Sequence, residues 1–96
     1  MGWEIIAIGS IEFRKNSKQG RIVEFAKKLD GTEFVMQTRL EKGFINVEMS
    51  GNKGIDYEPL TKLCDEYKDI IDGTISFGEY SETGDGFFWE PTEEEE

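Results

Sequence analysis

Between residues 78 and 91 the sequence reads GEYSETGDGFFWEP, so that Glu79, Glu82, Asp85 and Glu90 alternate with Tyr80, Phe87, Phe88 and Trp89. Carboxylates grouped in this way can do three kinds of chemistry. Paired general acid and base catalysis needs two of them held at a defined separation beside a cleft, and a chain of 96 residues leaves little volume for one. Binding a divalent cation through oxygen ligands is the second, but the segment lacks the D-x-[DN]-x-[DN]-G pattern and its closing bidentate Glu. The third is recognition of a cationic protein surface, in which carboxylates steer the encounter and aromatic rings anchor it. The interleaved aromatics favour this third chemistry, because a purely solvating segment does not need them. Glu79, Tyr80, Glu82, Asp85, Phe88, Trp89 and Glu90 are the expected contact residues, with Phe87 expected to pack into the fold.

The rest of the chain offers little for catalysis. There is no histidine, which removes the commonest general base and metal ligand and the Ser/His and Cys/His nucleophilic pairs together. Cys64 falls within an apolar helical stripe and reads as a small buried hydrophobe rather than a reactive thiol. "SKQGR" (Ser17 to Arg21) could hold a phosphate with Lys18, Arg21 and the free N–H groups of a helix start, but its spacing matches no phosphate-loop motif and an ordinary solvated helix start is the better explanation. The expectation is a protein that is not an enzyme and takes no cofactor and no metal.

Composition sets the frame for that surface. One domain fits in 96 residues, and a hydrophobic content of 36% with seven Phe, two Trp and three Tyr can build one core despite the net charge of −10. The charge is unevenly placed. Residues 1 to 68 balance eleven Lys and Arg against eleven Asp and Glu, while the last 28 residues hold all ten excess negatives and no cation. The expected division is a domain over residues 1 to 91 and an acidic, disordered tail over 92 to 96, which serves either partner binding or only solubility. A single cysteine builds no disulfide framework, and "MGWEIIAIGSIEF" has neither the basic start of a signal peptide nor an unbroken apolar run, so a cytoplasmic protein is expected.

The elements that must position these residues follow from periodicity. "WEIIAIGSIEFR" (Trp3 to Arg14) reads as a strand. "NSKQGRIVEFAKKLDG" reads as an amphipathic helix capped by Asn16 or Ser17, with Ile22, Phe25, Ala26 and Leu29 inward and Asp30-Gly31 as the stop. Thr32 to Leu40 and Phe44 to Met49 form a hairpin around Gly43, with Phe34, Met36 and Leu40 on one face and Ile45, Val47 and Met49 on one face of its partner. "IDYEPLTKLCDEYKDIIDG" reads as a second helix, started by Asp56 and Pro59 and ended by Asp72-Gly73, with Tyr57, Leu60, Leu63, Cys64, Tyr67, Ile70 and Ile71 as its stripe. "TISFGEY" is a fourth strand, Thr83 to Gly86 a turn, and "FFWEP" a fifth strand or arm. The order predicts an α+β ferredoxin-like βαββαβ sandwich, an antiparallel sheet with two helices on one face and a C-terminal β arm.

Two resemblances follow. "KGFINVEM" (Lys42 to Met49) resembles the third-strand signature of the RNA-recognition motif at Lys42, Gly43, Phe44, Val47 and Met49. It departs from that family at Ile45 and Asn46, and Ala7 stands where the family puts its other stacking ring, so two base platforms are missing. A net charge of −10 also repels a phosphate backbone, so direct nucleic-acid binding is not expected. In size, acidity and lack of catalytic residues the chain is similar to small phage or mobile-element inhibitors, including anti-CRISPR proteins and DNA mimics. That likeness implies an acidic module occupying the nucleic-acid-binding surface of a basic partner, such as a nuclease complex. A self-associating domain with an acidic solubilising tail, a degenerate RNA-recognition-like domain and a small-ligand or phosphate-binding enzyme remain as alternatives.

Overall fold

The computed structural model describes residues 4–52, 54–80 and 86–91, with the backbone alone at residue 80. Trp3, Glu82, Asp85, most of the expected turn at 83–86 and the acidic tail 92–96 lie outside the described residues. The chain is α+β. Strands β1 (Ile5–Glu12), β2 (Val35–Leu40), β3 (Phe44–Gly51), β4 (Ile75–Tyr80) and β5 (Phe87–Trp89) form one open sheet, and helices α1 (Gln19–Asp30) and α2 (Glu58–Glu66) complete the described elements. The strand order is β2-β3-β1-β4-β5, and every neighbouring pair is antiparallel.

Period-two alternation gives the sheet two unlike faces. Ala7 and Ile11 of β1 oppose Met49 and Ile45 of β3, and these pairs sit in the core with Val47. Ile75 and Phe77 oppose Trp89 and Phe87 across β4 and β5 and extend the same buried layer. Phe25 and Leu29 of α1 and Leu60, Leu63 and Cys64 of α2 close that layer from the helix side. Ile8, Ser10, Ser76 and Phe88 point the other way, where neither described helix covers them, and all four are exposed.

Helix α1 buries Phe25 and Leu29 of the expected stripe and packs Ile22 and Ala26 partly against the core, but its cap differs. Lys18 is the N-cap, no side chain caps the first turn, and the Ser17 hydroxyl lies instead 3.4 Å from the carbonyl of Ile70. Asp56 does engage the start of α2, accepting from the N–H of Glu58 at 3.1 Å, although Tyr57 is the N-cap residue. The second helix is shorter than its apolar stripe. It ends at Glu66, and residues 67–70 turn away, because the backbone of residues 70–72 is claimed by the end of β1: Arg14 N–H bonds Ile70 O at 2.9 Å, Asp72 N–H bonds Glu12 O at 2.8 Å, and Phe13 bridges Ile71. Ile70 and Ile71 are still buried, so the stripe reported burial correctly and conformation incorrectly.

The inward face of β2 is also revised. Val35 and Gln37 pair with the consecutive residues Met49 and Glu48, which makes Met36 the extra residue of a bulge and flips the alternation beyond it. Met36 is 59% exposed, and Phe34 precedes the strand with φ 76° while packing partly against the core. Among the described residues no helix is long and apolar enough to cross a membrane.

Candidate functional site

The acidic-aromatic segment is divided between core and surface by the alternation of β4 and β5. Phe87 is buried between Phe77 and Tyr57, with ring centroids 5.4 and 5.3 Å away. Phe88 lies on the uncovered face with 64% of its surface exposed, the most of any large hydrophobic side chain among the described residues. Trp89 corrects the expectation of a second exposed anchor. Two residues along from Phe87 it returns to the core face, is only 5% exposed, and donates its Nε1–H to Asp65 Oδ1 of α2 at 2.9 Å.

The carboxylates divide in the same way. Glu79 is half-buried opposite Ala7 and accepts a 2.6 Å hydrogen bond from the Tyr57 hydroxyl, so it fastens the start of α2 to β4 rather than standing as a solvated charge. Burial, then this hydrogen bond, push the Tyr57 hydroxyl well above its ordinary value of 10.0. Glu90 is exposed, and Tyr80 pairs through its backbone with Ile6 at the far end of β4. Phe88 and Glu90 are therefore the expected contact residues that the described structure presents to solvent.

Across the rest of that face β1 contributes Ile6, Ile8, Ser10 and Glu12. β3 contributes Phe44, Asn46, Glu48 and Ser50, paired with these in reverse order. Ser10 Oγ donates to Asn46 Oδ1 at 2.7 Å, and a shallow recess of about 140 Å³ runs between Ile8, Gln37, Arg39, Asn46 and Glu48. Ala7, considered above as a missing base platform, lies on the opposite, helix-covered face; the central uncovered positions are held by Ile8, Asn46 and Glu48.

A second and chemically opposite site lies where β1 runs into α1. A recess of about 550 Å³ is lined by Arg14, Lys15, Asn16, Ser17, Lys18, Arg21, Asp69 and Ile70. Arg14 is fixed by its Nε–H, which donates to Ile71 O at 3.0 Å. Arg21 is held from two sides: Nη2 donates to Asp69 Oδ1 at 2.6 Å, and the guanidinium carbon lies 4.4 Å from the centroid of the Tyr67 ring. The bond from Arg21 holds the Asp69 carboxyl below its ordinary value, so the pair stays ionised. Sequence reading singled out Ser17 to Arg21 but missed Arg14, Lys15 and Asp69. Four cations with no acid between Glu12 and Glu24 were the available signal, whereas Asp69 arrives through the turn that shortens α2.

Cys64 belongs to neither site. Burial, with a smaller push from Asp65, raises its thiol to about 12, so the reactive thiolate is scarce at neutral pH. Among the described residues no group of three or more Cys, Asp or Glu side chains is arranged to hold a metal ion. Compared with known proteins, the chain matches no family model, no curated protein and no solved structure.

Proposed function

We propose that the chain is a non-enzymatic protein-binding module that presents the exposed sheet face, anchored at Phe88 with Glu90 beside it in sequence, to a basic partner protein. Phe88 carries this reading: a large ring left 64% exposed between two neighbours that are almost fully buried. A single exposed hydrophobe is ordinary, but this one continues into a sheet face on which Ile8 is also exposed and which neither described helix covers. Aromatic anchors of this kind often contribute about 2 kcal/mol or more to an interface, while surrounding carboxylates act mainly on encounter rate and choice of partner.

In its finer form the partner is a nucleic-acid-handling protein, such as a nuclease complex, and the chain occupies its basic groove as small acidic phage and anti-CRISPR inhibitors do. The excess of negative charge after Lys68 supports that form, since the acids there other than Asp69, paired with Arg21, and Glu79, bonded to Tyr57, can complement a surface built to hold phosphates. The ferredoxin-like form of the fold is supported by connectivity. β1 and β2 both run antiparallel to β3 between them, and β3 and β4 both run antiparallel to β1, as two interleaved split βαβ units require. A reducing cytoplasm suits a free, buried Cys64.

The test is affinity capture from a bacterial extract with wild type, Phe88→Ser and Glu90→Gln, followed by titration of each retained protein and competition with duplex DNA. The proposal expects a basic protein whose affinity drops by about thirtyfold with Phe88→Ser, equivalent to about 2 kcal/mol, and whose capture is salt-sensitive and displaced by DNA. Equal retention by wild type and Phe88→Ser would overturn the contact surface. A mass that rises with concentration and falls back in Phe88→Ser would assign the face to self-association instead.

A further inference from the structure

The basic recess at the β1–α1 junction lies outside the protein-binding reading and stands independently of it. Four of the eleven cations of a strongly acidic chain meet around one concavity, opposed there by Asp69 alone. They come from different parts of the backbone, Arg14 and Lys15 from the end of β1 and its loop, Lys18 and Arg21 from the entry and first turn of α1. Two guanidinium groups are held in place, Arg14 by Ile71 O and Arg21 by Asp69 and the Tyr67 ring, while Lys15 and Lys18 are exposed and have no ion-pair partner among the described residues.

We propose that this recess is a binding site for a small phosphorylated anion, with the Arg14 and Arg21 guanidinium groups as the fixed floor and Lys15 and Lys18 as mobile cations that close on the ligand. Phosphate oxygens are the natural complement, because guanidinium forks match their geometry and ammonium groups add charge without demanding direction. The recess, about 550 Å³, has room for a diphosphate or a phosphate with an organic substituent as well as for a single phosphate group. A small ligand is favoured over a nucleic-acid strand by what borders the recess. Glu12 and Asp72, joined by a 2.8 Å backbone bond, flank Arg14 and Ile70 along the same two segments. A long polyanion running along those segments would meet these two acids, whereas a small anion need touch only the recess. Asp69 turns one edge of Arg21 away from the ligand and stays ionised, which limits how many phosphates the site accepts.

The probe is pyrophosphate, added to the intact 15N-labelled chain and followed by amide shifts and by calorimetry. The proposal expects saturable shifts confined to residues 14–21 and 69–71. It also expects a loss of about tenfold or more in affinity for the Lys15→Gln/Lys18→Gln double variant, the equivalent of two weakened charge-assisted bonds. Lys62→Gln, which removes a charge from α2, should leave the affinity within about twofold, as expected for an exposed charge elsewhere. Absent or unsaturable shifts in the wild type overturn the site, as does an equal effect of Lys62→Gln, which would mean diffuse charge attraction. A single-stranded DNA dodecamer binding the same residues more tightly than pyrophosphate overturns the small-ligand assignment.

Discussion

Truncating two adjacent aromatic residues should have opposite consequences. Trp89 is 5% exposed and its Nε1–H bonds Asp65, so Trp89→Ala removes both a core ring and the tie between β5 and α2. Deleting a buried Trp or Phe ring costs about 3–5 kcal/mol, and the hydrogen bond adds about 1 kcal/mol net, because exposed Asp65 can return to water. A 96-residue domain has a total stability of about 5–14 kcal/mol, so this one change removes a large share of it. Phe88→Ala takes away a ring that already stands mostly in water and should shift stability by no more than about 0.5 kcal/mol. Urea unfolding followed by far-ultraviolet circular dichroism separates the two: with a slope of about 1.5 kcal/mol per molar, the midpoint of Trp89→Ala should fall by about 2 M or more, whereas that of Phe88→Ala stays within about 0.3 M. Equal midpoints for the two variants would refute the docking of β5 on β4, and with it the assignment of Phe88 as the outward residue.

Three further outcomes follow from individual contacts. A Cβ on Gly9 would run into the ring of buried Phe77, so Gly9→Ala should cost about 1–3 kcal/mol in thermal or chemical unfolding, and Phe77→Leu should recover part of that loss. Tyr57 and Cys64 both hold their protons more tightly folded than unfolded, so their stabilisation is complete below the ordinary values of 10.0 and 9.0 and disappears as the pH rises through the folded ones; the melting temperature should fall between about pH 9 and 12, and less steeply in Tyr57→Phe. For Asp69 the direction reverses: its folded value lies below the ordinary 3.8, so its stabilisation is present above that value and is lost as the pH falls through the folded one, and carboxyl NMR should find its midpoint below 3.8 in the wild type and returned towards 3.8 in Arg21→Gln.

Burial was more legible in the sequence than conformation. The stripes of α1 and α2 and the alternation of β3 name residues that are buried or, at Ile22, Ala26 and Tyr57, partly buried against the core, because periodicity records which side of an element faces it. Periodicity does not record which element a segment joins. Ile70 and Ile71 continue the helical spacing of α2, yet pairing with the end of β1 offers their backbone hydrogen bonds that one more helical turn would forfeit. The bulge at Met36 is invisible for a related reason, since one additional residue reverses the facing of those beyond it and its cause lies in the partner strand. Trp89 shows the limit for the candidate site: three consecutive aromatics admit either phase of alternation, and the phase is set by the pairing of Ile75 with Trp89.

Charge was misjudged for a different physical reason. Summed over residues 1 to 68, cations and anions cancel, and that sum hides the acid-free run from Arg14 to Arg21. Interaction between charges depends on distance in space, however, and falls away beyond about 10 Å in 0.1 M salt, so a balance taken over dozens of residues averages regions that do not influence one another. The stretch from Arg14 to Arg21 contains no acid, and the turn after α2 brings Asp69 into its recess, while Glu24, one turn along α1 from Arg21, accepts from the Tyr67 hydroxyl and lies near Lys28, which also pairs with Glu66. A protein that is acidic overall therefore carries a local site of the opposite sign, on a different part of the fold from Phe88. Removing Lys15 and Lys18 should affect binding of a small anion without changing the Phe88 surface, and removing the Phe88 ring should do the reverse. If either change altered both functions equally, the two surfaces would have to be parts of one larger interface.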